Sequence, residues 1–306
     1  MQSNIAYIQP QSYVFAKRPL KALTPDELLK MEIPEPKWLL EPFVPESGLV
    51  QVFADRGVGK TFFVLSLAIA LATGKEFLGF KPTERCKVVW YDGEMASNIF
   101  KERLKLLTKS LSNLDNAYLN ENCRFVLSGE QEFGMPDLGN PENYDYYDHW
   151  LHGVKVIILD NLLSLCTIPL NDNDAWAEFN QWCTSMRNKG VTVLHVHHSG
   201  RGSSNHAMGA KRIEQPLDLI IGLKPPKDHD VSQGCDFNIE FKKSRRLIGD
   251  AGKPFRAKLE PTGEWQRLKY APDFDYKALQ EEHGSIRKIA EVTGQSKSTI
   301  QRKLKE

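Results

Sequence analysis

Short, continuous apolar runs alternate with longer amphipathic stretches from Gly48 onward. Such a pattern is typical of buried parallel strands that are joined by helices and covered by them on both faces. We therefore expect an α/β fold with a mostly parallel sheet. The predicted strands are 49–54, 86–91, 124–127, 154–160, 191–197 and 217–223, and the predicted helices are 60–73, 96–109 and 175–189.

The pattern changes in the last third of the chain. Residues 237–242, 255–259 and 264–268 look like strands with no helix between them, which predicts an antiparallel extension of the sheet. After a turn at 270–273, residues 274–306 alternate in a helical manner and are rich in Lys and Arg. A small helical module is expected there.

The segment before Gly48 is irregular in pattern. Thr24, Pro25 and Glu27 form a good helix start, and that helix should end near Met31. Four prolines follow between 34 and 45 and predict a linker without regular structure. Its apolar residues Trp38, Leu39, Leu40 and Phe43 should press onto a neighbouring surface. The expected organisation is a lead-in over 1–46, a core over 47–271 and the module over 274–306.

Composition excludes several classes of protein. The 306 residues are 41% hydrophobic and 26% charged, which is ordinary for a globular protein and unlike a disordered or collagenous chain. Five scattered cysteines suggest neither a disulfide framework nor a zinc site. The most apolar run, 62–72, is shorter than the roughly 20 residues that span a bilayer. A cytoplasmic protein without a membrane segment is expected.

Charge is unevenly distributed although the net charge is only +1. Residues 240–306 carry 16 Lys and Arg against 10 Asp and Glu, so the preceding 239 residues have an acidic excess. A basic carboxyl-terminal fifth is therefore hidden in a neutral total.

A phosphate-binding loop follows the first predicted core strand and opens a helix. Glycines let backbone N–H groups surround a phosphate, and the start of the helix adds its positive end. Lys60 would reach the β- and γ-phosphates of ATP, and Thr61 would offer its hydroxyl to Mg²⁺. Ala54 occupies the position where the usual pattern has its first glycine. The predicted nucleotide-binding residues are Asp55, Arg56, Gly57, Val58, Gly59, Lys60 and Thr61.

Two further carboxylates are candidates for the same site. Asp160 ends an apolar strand, as in a Walker B segment, and would lie beside the Mg²⁺ together with Thr61. Glu94 follows the second predicted strand, and the carboxyl ends of parallel strands share one edge of the sheet. We expect Glu94 to orient and deprotonate the attacking water. Asp92 is the alternative, with capping of the next helix as its structural role.

Three histidines cluster at the end of the strand 191–197. A metal site is one interpretation, but His195 and His197 share a strand face while His198 lies on the other side or beyond the strand. Contact with the γ-phosphate or the water is the preferred role, with His198 chosen first and His197 second. His195 is expected to be a buried, supporting residue.

The combination of these segments resembles the RecA-like NTPases, and within them the AAA_25 or RepA-like hexameric helicases. The resemblance covers about residues 33–268. It rests on the segments described above and on three later ones that follow the histidines in the sequence. A ring of six subunits, with ATP between neighbours, is what it implies. The segments that carry it are 36–40, 48–50, the phosphate-binding loop, 92–95, 159–161, the double histidine, 209–212, 217–218 and 241–245.

The resemblance also implies basic residues that act on the phosphates of a neighbouring subunit. Arg212, Lys243 and Arg245 are the candidates, and a solvated basic strand edge is the alternative. The arginine that the family commonly has near Ala207 is missing. The polar loop 200–206, with Arg201, would face single-stranded DNA in the ring channel, or be a plain surface loop.

The basic tail 284–306 resembles a helix-turn-helix of the resolvase or transposase-end type. It has six Lys and Arg against two Glu, with Ala290 where two helices would touch. A helical hairpin that caps the core or joins subunits is the alternative. The residues expected to contact duplex DNA are Lys297, Ser298, Gln301 and Arg302.

Together these features predict an ATP-hydrolysing DNA motor, a RepA-like hexameric replicative helicase of a mobile element. An ATP-controlled DNA-binding regulator or partitioning protein is one alternative, and a RecA-like recombinase that forms open filaments is another.

Overall fold

The structure is a computed structural model. It describes residues 21–33, 35, 37–169, 175–200, 203–207, 211–226, 234–270, 276–293 and 296–305. Arg201, one of the predicted DNA contacts, lies outside these residues, and so does the side chain of Arg212.

A ten-stranded sheet forms the centre of the molecule, in the order β12-β11-β10-β9-β3-β7-β6-β4-β5, with β8 paired to β7. The six strands from β9 to β5 in this order run parallel, and β10, β11 and β12 continue antiparallel beyond β9. This confirms the predicted α/β class with an antiparallel extension. The strands of the sheet are β3 (Leu49–Ala54), β4 (Lys87–Asp92), β5 (Cys123–Leu127), β6 (Val154–Asp160), β7 (Thr192–Gly200), β8 (Ser203–Ala207), β9 (Leu219–Lys224), β10 (Asp236–Ser244), β11 (Phe255–Leu259) and β12 (Trp265–Leu268).

Helices cover both faces of this sheet. The apolar side chains of β3, β4, β6 and β7 divide between two buried clusters, as the alternation of side chains along a strand requires. Helix α2 packs in the first cluster and helix α7 in the second. The helices are α1 (Pro25–Lys30), α2 (Lys60–Thr73), α3 (Ser97–Thr108), α4 (Asn113–Asn122), α5 (Tyr144–Asp148), α6 (Leu162–Leu165), α7 (Ala175–Asn188), α8 (Lys211–Glu214), α9 (Tyr276–His283), α10 (Ile286–Thr293) and α11 (Lys297–Lys305).

The lead-in is more ordered than its prolines suggested. Strands β1 (Trp38–Leu40) and β2 (Val44–Pro45) pair antiparallel, so the expectation of no regular structure is wrong here. The tight turn between them places Pro42 where no backbone N–H is needed, and Pro45 lies at the strand end. Leu39, Leu40 and Phe43 are fully buried against the first cluster, as expected.

The prediction of a polar loop over 200–206 is also partly wrong. Residues from Ser203 onward form β8, which pairs antiparallel with β7 through Ser199 and Ala207. The expected loop is therefore a β-hairpin extension of the strand that carries the three histidines.

Helices α9, α10 and α11 gather around a small apolar cluster of their own, with Tyr276, Ile289 and Ile300 at its centre. Ile289 and Ile300 are completely buried. Over the part of the chain that the structure describes, no helix has both the length and the apolar character needed to cross a membrane.

Candidate functional site

The phosphate-binding loop joins the carboxyl end of β3 to the start of α2. Gly57 and Gly59 have φ values of +80° and +108°, in the region that favours glycine. A Cβ on Gly59 would also lie only 2.4 Å from Cys235 Sγ. Glycine is therefore favoured at 57 by backbone conformation, and at 59 by both conformation and the lack of space for a side chain. The backbone of this loop is free to surround a phosphate.

The Lys60 side chain folds back over the loop. Its Nζ donates hydrogen bonds to the carbonyl oxygens of Ala54 and Asp55, both at 2.9 Å. Burial lowers the pKa of this ammonium to about 8, although the negative charge of Asp160 opposes the shift. The buried cation is thus held beside the loop by two weak acceptors that phosphate oxygens could replace.

Thr61 and Asp160 meet where the ends of two strands converge. The Thr61 hydroxyl donates to Asp160 Oδ2 at 2.8 Å. Burial raises the pKa of the Asp160 carboxyl to about 7, with this hydrogen bond opposing the shift. A hydroxyl beside a buried carboxylate is an oxygen donor pair that suits Mg²⁺, so these residues fit the ion predicted for them.

Glu94 stands at the same edge, and its side chain is 61% exposed. Its Oε2 accepts a hydrogen bond from Asn161 Nδ2, and it lies 3.9 Å from His198 Nε2. The Gly93 N–H donates to the Asp160 carbonyl at 2.9 Å, which ties the two strand ends together. Glu94 is therefore a positioned carboxylate that solvent can reach.

Asp92 is placed differently from Glu94. It is buried, and its Oδ1 accepts from the backbone N–H groups of Glu94 and Met95 at 3.0 and 2.6 Å. Burial raises the pKa of this carboxyl. Its contacts are those of a residue that shapes the turn before α3.

The three histidines lie at different depths. His195 and His197 are buried, and desolvation lowers their pKa values to about 3 and about 4. His197 Nδ1 accepts from the His198 N–H at 2.8 Å. His198 pairs in register with Ala54, beside the loop, and reaches toward Glu94. Within the described residues no group of three His, Cys, Asp or Glu side chains could hold a metal.

Comparison with known proteins agrees with this geometry. A family model for the AAA domain, AAA_25, matches residues 16–204. The chain belongs to the AAA_25 family. Among solved structures, the KaiC-like protein PH0186 from Pyrococcus horikoshii OT3 is similar in fold, with a TM-score of 0.53 and 16% identity over 75% of this chain and 93% of that one. No curated protein matches the sequence.

Membership of AAA_25 and the KaiC-like fold make the chain a RecA-like P-loop ATPase. Lys60, Thr61, Asp160 and Glu94 lie together at one sheet edge of this AAA_25 domain, beside the phosphate-binding loop. Asp55, Arg56 and Gly57 are exposed on the loop, while Val58 is buried beneath it.

Two of the predicted trans-acting residues lie away from this edge. Lys243 pairs in register with Ile220, near the amino end of β9, and its Nζ donates to the carbonyl oxygens of residues 214 and 215. Arg245 contacts Asp218 at 3.4 Å. Ile220 pairs in turn with Gln51 of β3, which precedes the loop by roughly 13 Å of extended strand. Lys243 and Arg245 therefore lie away from the phosphate-binding loop of their own chain.

Two residues near the site escaped the sequence prediction. Asn161 caps α6 through the Ser164 N–H and also holds Glu94. Arg103 lies on α3 with its guanidinium 4.9 Å from the ring centre of Phe62, the residue after Thr61. Burial raises the pKa of Asp160, and the positive charge of Arg103 is one of the smaller effects that oppose this rise. An Asn after a strand-ending Asp is a visible capping signal, whereas nothing in the sequence singles out Arg103.

Replacing Asp160 with asparagine should stabilise the nucleotide-free AAA_25 chain at alkaline pH. The buried carboxyl has a pKa of about 7, against an ordinary value of 3.8, so its ionisation costs the folded state free energy as pH rises from about 4 to 7. Above pH 7 the gain from the substitution should reach up to about 4 kcal/mol. Urea unfolding between pH 4 and 8 measures it.

The gain should shrink as pH falls through 7 and vanish near pH 4. Asp145→Asn, which alters an exposed carboxylate, should change the free energy of unfolding by less than about 0.5 kcal/mol. An Asp160→Asn variant that is less stable than the parent at pH 8 contradicts the assignment of a desolvated, buried carboxylate.

Proposed function

We propose that this chain is an ATP-hydrolysing DNA motor of the RepA-like hexameric replicative helicase type, encoded by a mobile element. The observation that carries the proposal is the meeting of Lys60, Thr61, Asp160 and Glu94 at one sheet edge. Family membership supports the ATPase class. The basic carboxyl-terminal helices support DNA as the polymer along which the motor would move.

The residues of the loop would bind the phosphates of ATP. Backbone N–H groups of residues 57–60 and the start of α2 favour an anion, and Lys60 would exchange two carbonyl oxygens for phosphate oxygens. Thr61 and Asp160 would hold Mg²⁺, which when bound neutralises charge on the β- and γ-phosphates.

Glu94 would act on the water that attacks the γ-phosphate. Asn161 fixes one of its carboxylate oxygens, and the exposed remainder of the group can accept a proton from a water molecule. His198, 3.9 Å away, would contact either that water or the phosphate. In this proposal Asp92 has a structural role, because it accepts the Glu94 N–H and so holds the turn that positions Glu94.

Lys243 and Arg245 would act on ATP bound to a neighbouring subunit. Their place toward the opposite edge of the sheet supports this, since a cation there can meet phosphates only across an interface between copies. Arg212 remains a third candidate by sequence alone. A ring of six copies, with ATP between neighbours, is the proposed assembly.

DNA would be contacted in two places. On α11 the four predicted residues Lys297, Ser298, Gln301 and Arg302 are all exposed, which suits contact with duplex phosphates and base edges. Arg201 and the β7–β8 hairpin would face single-stranded DNA in the channel. A two-helix reader supported by a third helix fits the cluster around Ile289 and Ile300.

Strand displacement on a forked DNA duplex, with ATP and Mg²⁺, tests the proposal. The assembled chain should release the labelled strand, and the Lys60→Ala variant should release none. If the chain assembles and hydrolyses ATP but displaces no strand, the proposed helicase function is wrong.

A second candidate is an ATP-controlled, sequence-specific DNA-binding regulator, which the separate cluster of α9, α10 and α11 favours. Footprinting on random genomic fragments separates the two. A regulator protects a defined sequence, whereas a motor protects DNA with little sequence preference.

A further inference from the structure

Three polar side chains lie side by side in the interior of the sheet, on the face that α7 covers. Gln51, His195 and His197 are at most 2% exposed, and we call them the polar row. Gln51 of β3 pairs in register with His195 of β7, and Phe53 pairs with His197 two residues further along. Because Phe53 belongs to the apolar cluster on this face, the polar row lies within a layer of the core.

Four atoms of the polar row have no hydrogen-bond partner among the residues that the structure describes. They are Oε1 and Nε2 of Gln51, Nδ1 of His195 and Nε2 of His197. A buried polar atom without a partner lowers the stability of the folded state, whereas apolar side chains of similar volume would pack here without that penalty. Polar groups that a core retains against its own stability are typical of functional sites, which indicates a role beyond packing.

The tautomer of His197 follows from its contact with the next residue. Burial lowers the pKa of its ring to about 4, so the ring is neutral at pH 7 and carries one proton. The His198 N–H donates to His197 Nδ1 at 2.8 Å, and a backbone N–H can only donate. The ring proton therefore lies on Nε2, and this N–H group is the one that lacks an acceptor.

The atoms of the polar row are complementary in kind and in position. The Gln51 amide group has an acceptor, Oε1, and a donor, Nε2, while His197 offers an N–H and His195 can offer an unprotonated Nδ1. In-register and diagonal neighbours on adjacent strands lie close enough for one long side chain to contact both. Rotation of the Gln51 side chain can thus give each of the four atoms a partner.

We propose that Gln51 is a positioning residue for ATP hydrolysis, with an amide group that links the rings of His195 and His197. Gln51 Oε1 accepts from the Nε2–H of His197, and Gln51 Nε2 donates to Nδ1 of His195. With its ring held in this way, His197 keeps Nδ1 toward the His198 N–H. The link thereby fixes the end of β7, where His198 pairs with Ala54 beside the phosphate-binding loop. The inference rests on the proposed function, in which His198 contacts the γ-phosphate or the attacking water.

The contact of His198 with the γ-phosphate connects the polar row to the nucleotide. The side chains are unpaired in the structure, and the linked arrangement is a second state of the same residues. A phosphate that holds His198 in place also orders His197 through their shared hydrogen bond, and so favours the linked state. The link is therefore strongest in the reacting complex, where it raises the rate of hydrolysis more than the affinity for ATP.

Gln51→Met tests this role, because methionine has a similar volume and lacks the amide group. The kcat for ATP hydrolysis should fall about tenfold, with a KM for ATP that stays within about twofold of the parent. The melting temperature should stay level or rise, since unpaired polar atoms leave the core. Leu49→Met is the matched control, because Leu49 is a buried residue of the same strand and the same face, and it should retain the parental kcat.

A double-mutant cycle with His198→Ala shows whether Gln51 acts through that histidine. Each single variant should be slow, and Gln51→Met should have less than about a twofold further effect on kcat once residue 198 is alanine. NMR spectra of the chain with nitrogen-labelled histidine and a non-hydrolysable ATP analogue give a second measurement. His197 of the parent should carry its proton on Nε2 alone, and in Gln51→Met both tautomers should be present.

Several results would overturn the role of Gln51. Parental kcat in Gln51→Met, additive effects in the cycle, parental turnover in His198→Ala, or an unchanged His197 tautomer in Gln51→Met would each do so. Lost turnover together with a lowered melting temperature of Gln51→Met overturns the role too, because ordinary damage to the core has that effect.

The ATPase part of the proposed function fails by a different measurement. Parental ATP turnover in Lys60→Ala contradicts the phosphate site, whatever Gln51 does. Loss of turnover in Lys60→Ala together with parental kcat in Gln51→Met overturns only the role of Gln51. A parental chain that hydrolyses no ATP overturns both.

Discussion

Lys60→Ala should reduce ATP turnover by about 10²- to 10³-fold while the chain remains folded. The substitution removes the cation that would stabilise charge on the γ-phosphate, and loss of one preorganised group of this kind typically has that effect on rate. Burial lowers the pKa of Lys60 to about 8, so its charge costs the folded state free energy at pH 7. Its removal should therefore leave the melting temperature unchanged or raised.

Phosphate release measures the turnover, and thermal unfolding checks the fold. Lys75→Ala is the matched control, because Lys75 is an exposed lysine paired with Asp115 at 3.1 Å and lies beyond the end of α2. It should retain parental turnover. Undiminished hydrolysis by Lys60→Ala would refute the assignment of the phosphate-binding loop.

The central strands could be predicted because their apolar runs are bounded by residues that stop them. β3, α2 and β6 have the bounds that the sequence suggested. The run of β6 stops at Asp160, and α2 lies between two glycines that adopt positive φ. Since a strand buried on both faces needs an uninterrupted apolar run, pattern and structure coincide where burial is complete.

Prediction failed where local signals were weak or where pairing depends on distant residues. Helix α4 was missed because Leu119 is its only buried residue and gives no apolar period, although Ser112 and Asp115 form a capping box. β1, β2 and β8 are short, and each is a strand only because a partner lies beside it. The four prolines between 34 and 45 predict no regular structure, and they do not show that β1 and β2 pair.

The site was largely predictable because one rule places all strand ends of a parallel sheet together. That rule brings Thr61, Glu94 and Asp160 to one edge. It reaches Thr61 only because the start of α2 follows the end of β3 through the short phosphate-binding loop. It does not place side chains farther along a helix, which is why Arg103 was missed. It also does not place side chains whose position depends on an irregular strand register. The shift between Phe241 and Lys243 on β10 decides where Lys243 lies, and no sequence pattern shows it.

Glu94→Gln should bind ATP with nearly parental affinity and hydrolyse it about 10²- to 10⁴-fold more slowly. Glutamine keeps the shape and can still accept the hydrogen bond from Asn161, but it cannot take a proton from water. Because the Glu94 side chain is largely exposed, the substitution should leave the free energy of unfolding unchanged. A fluorescent ATP analogue measures binding, and single-turnover phosphate release measures the chemical step.

Asp92→Asn is the matched control, since it makes the same chemical change two residues away. The carbonyl oxygen of the new amide could still accept the N–H groups of Glu94 and Met95, and the substitution removes a carboxyl whose pKa burial has raised. We therefore expect most of the turnover to survive and the folded state to lose little. If Asp92→Asn abolished hydrolysis and Glu94→Gln preserved it, the roles of the two carboxylates would be reversed, and the buried residue would be the base.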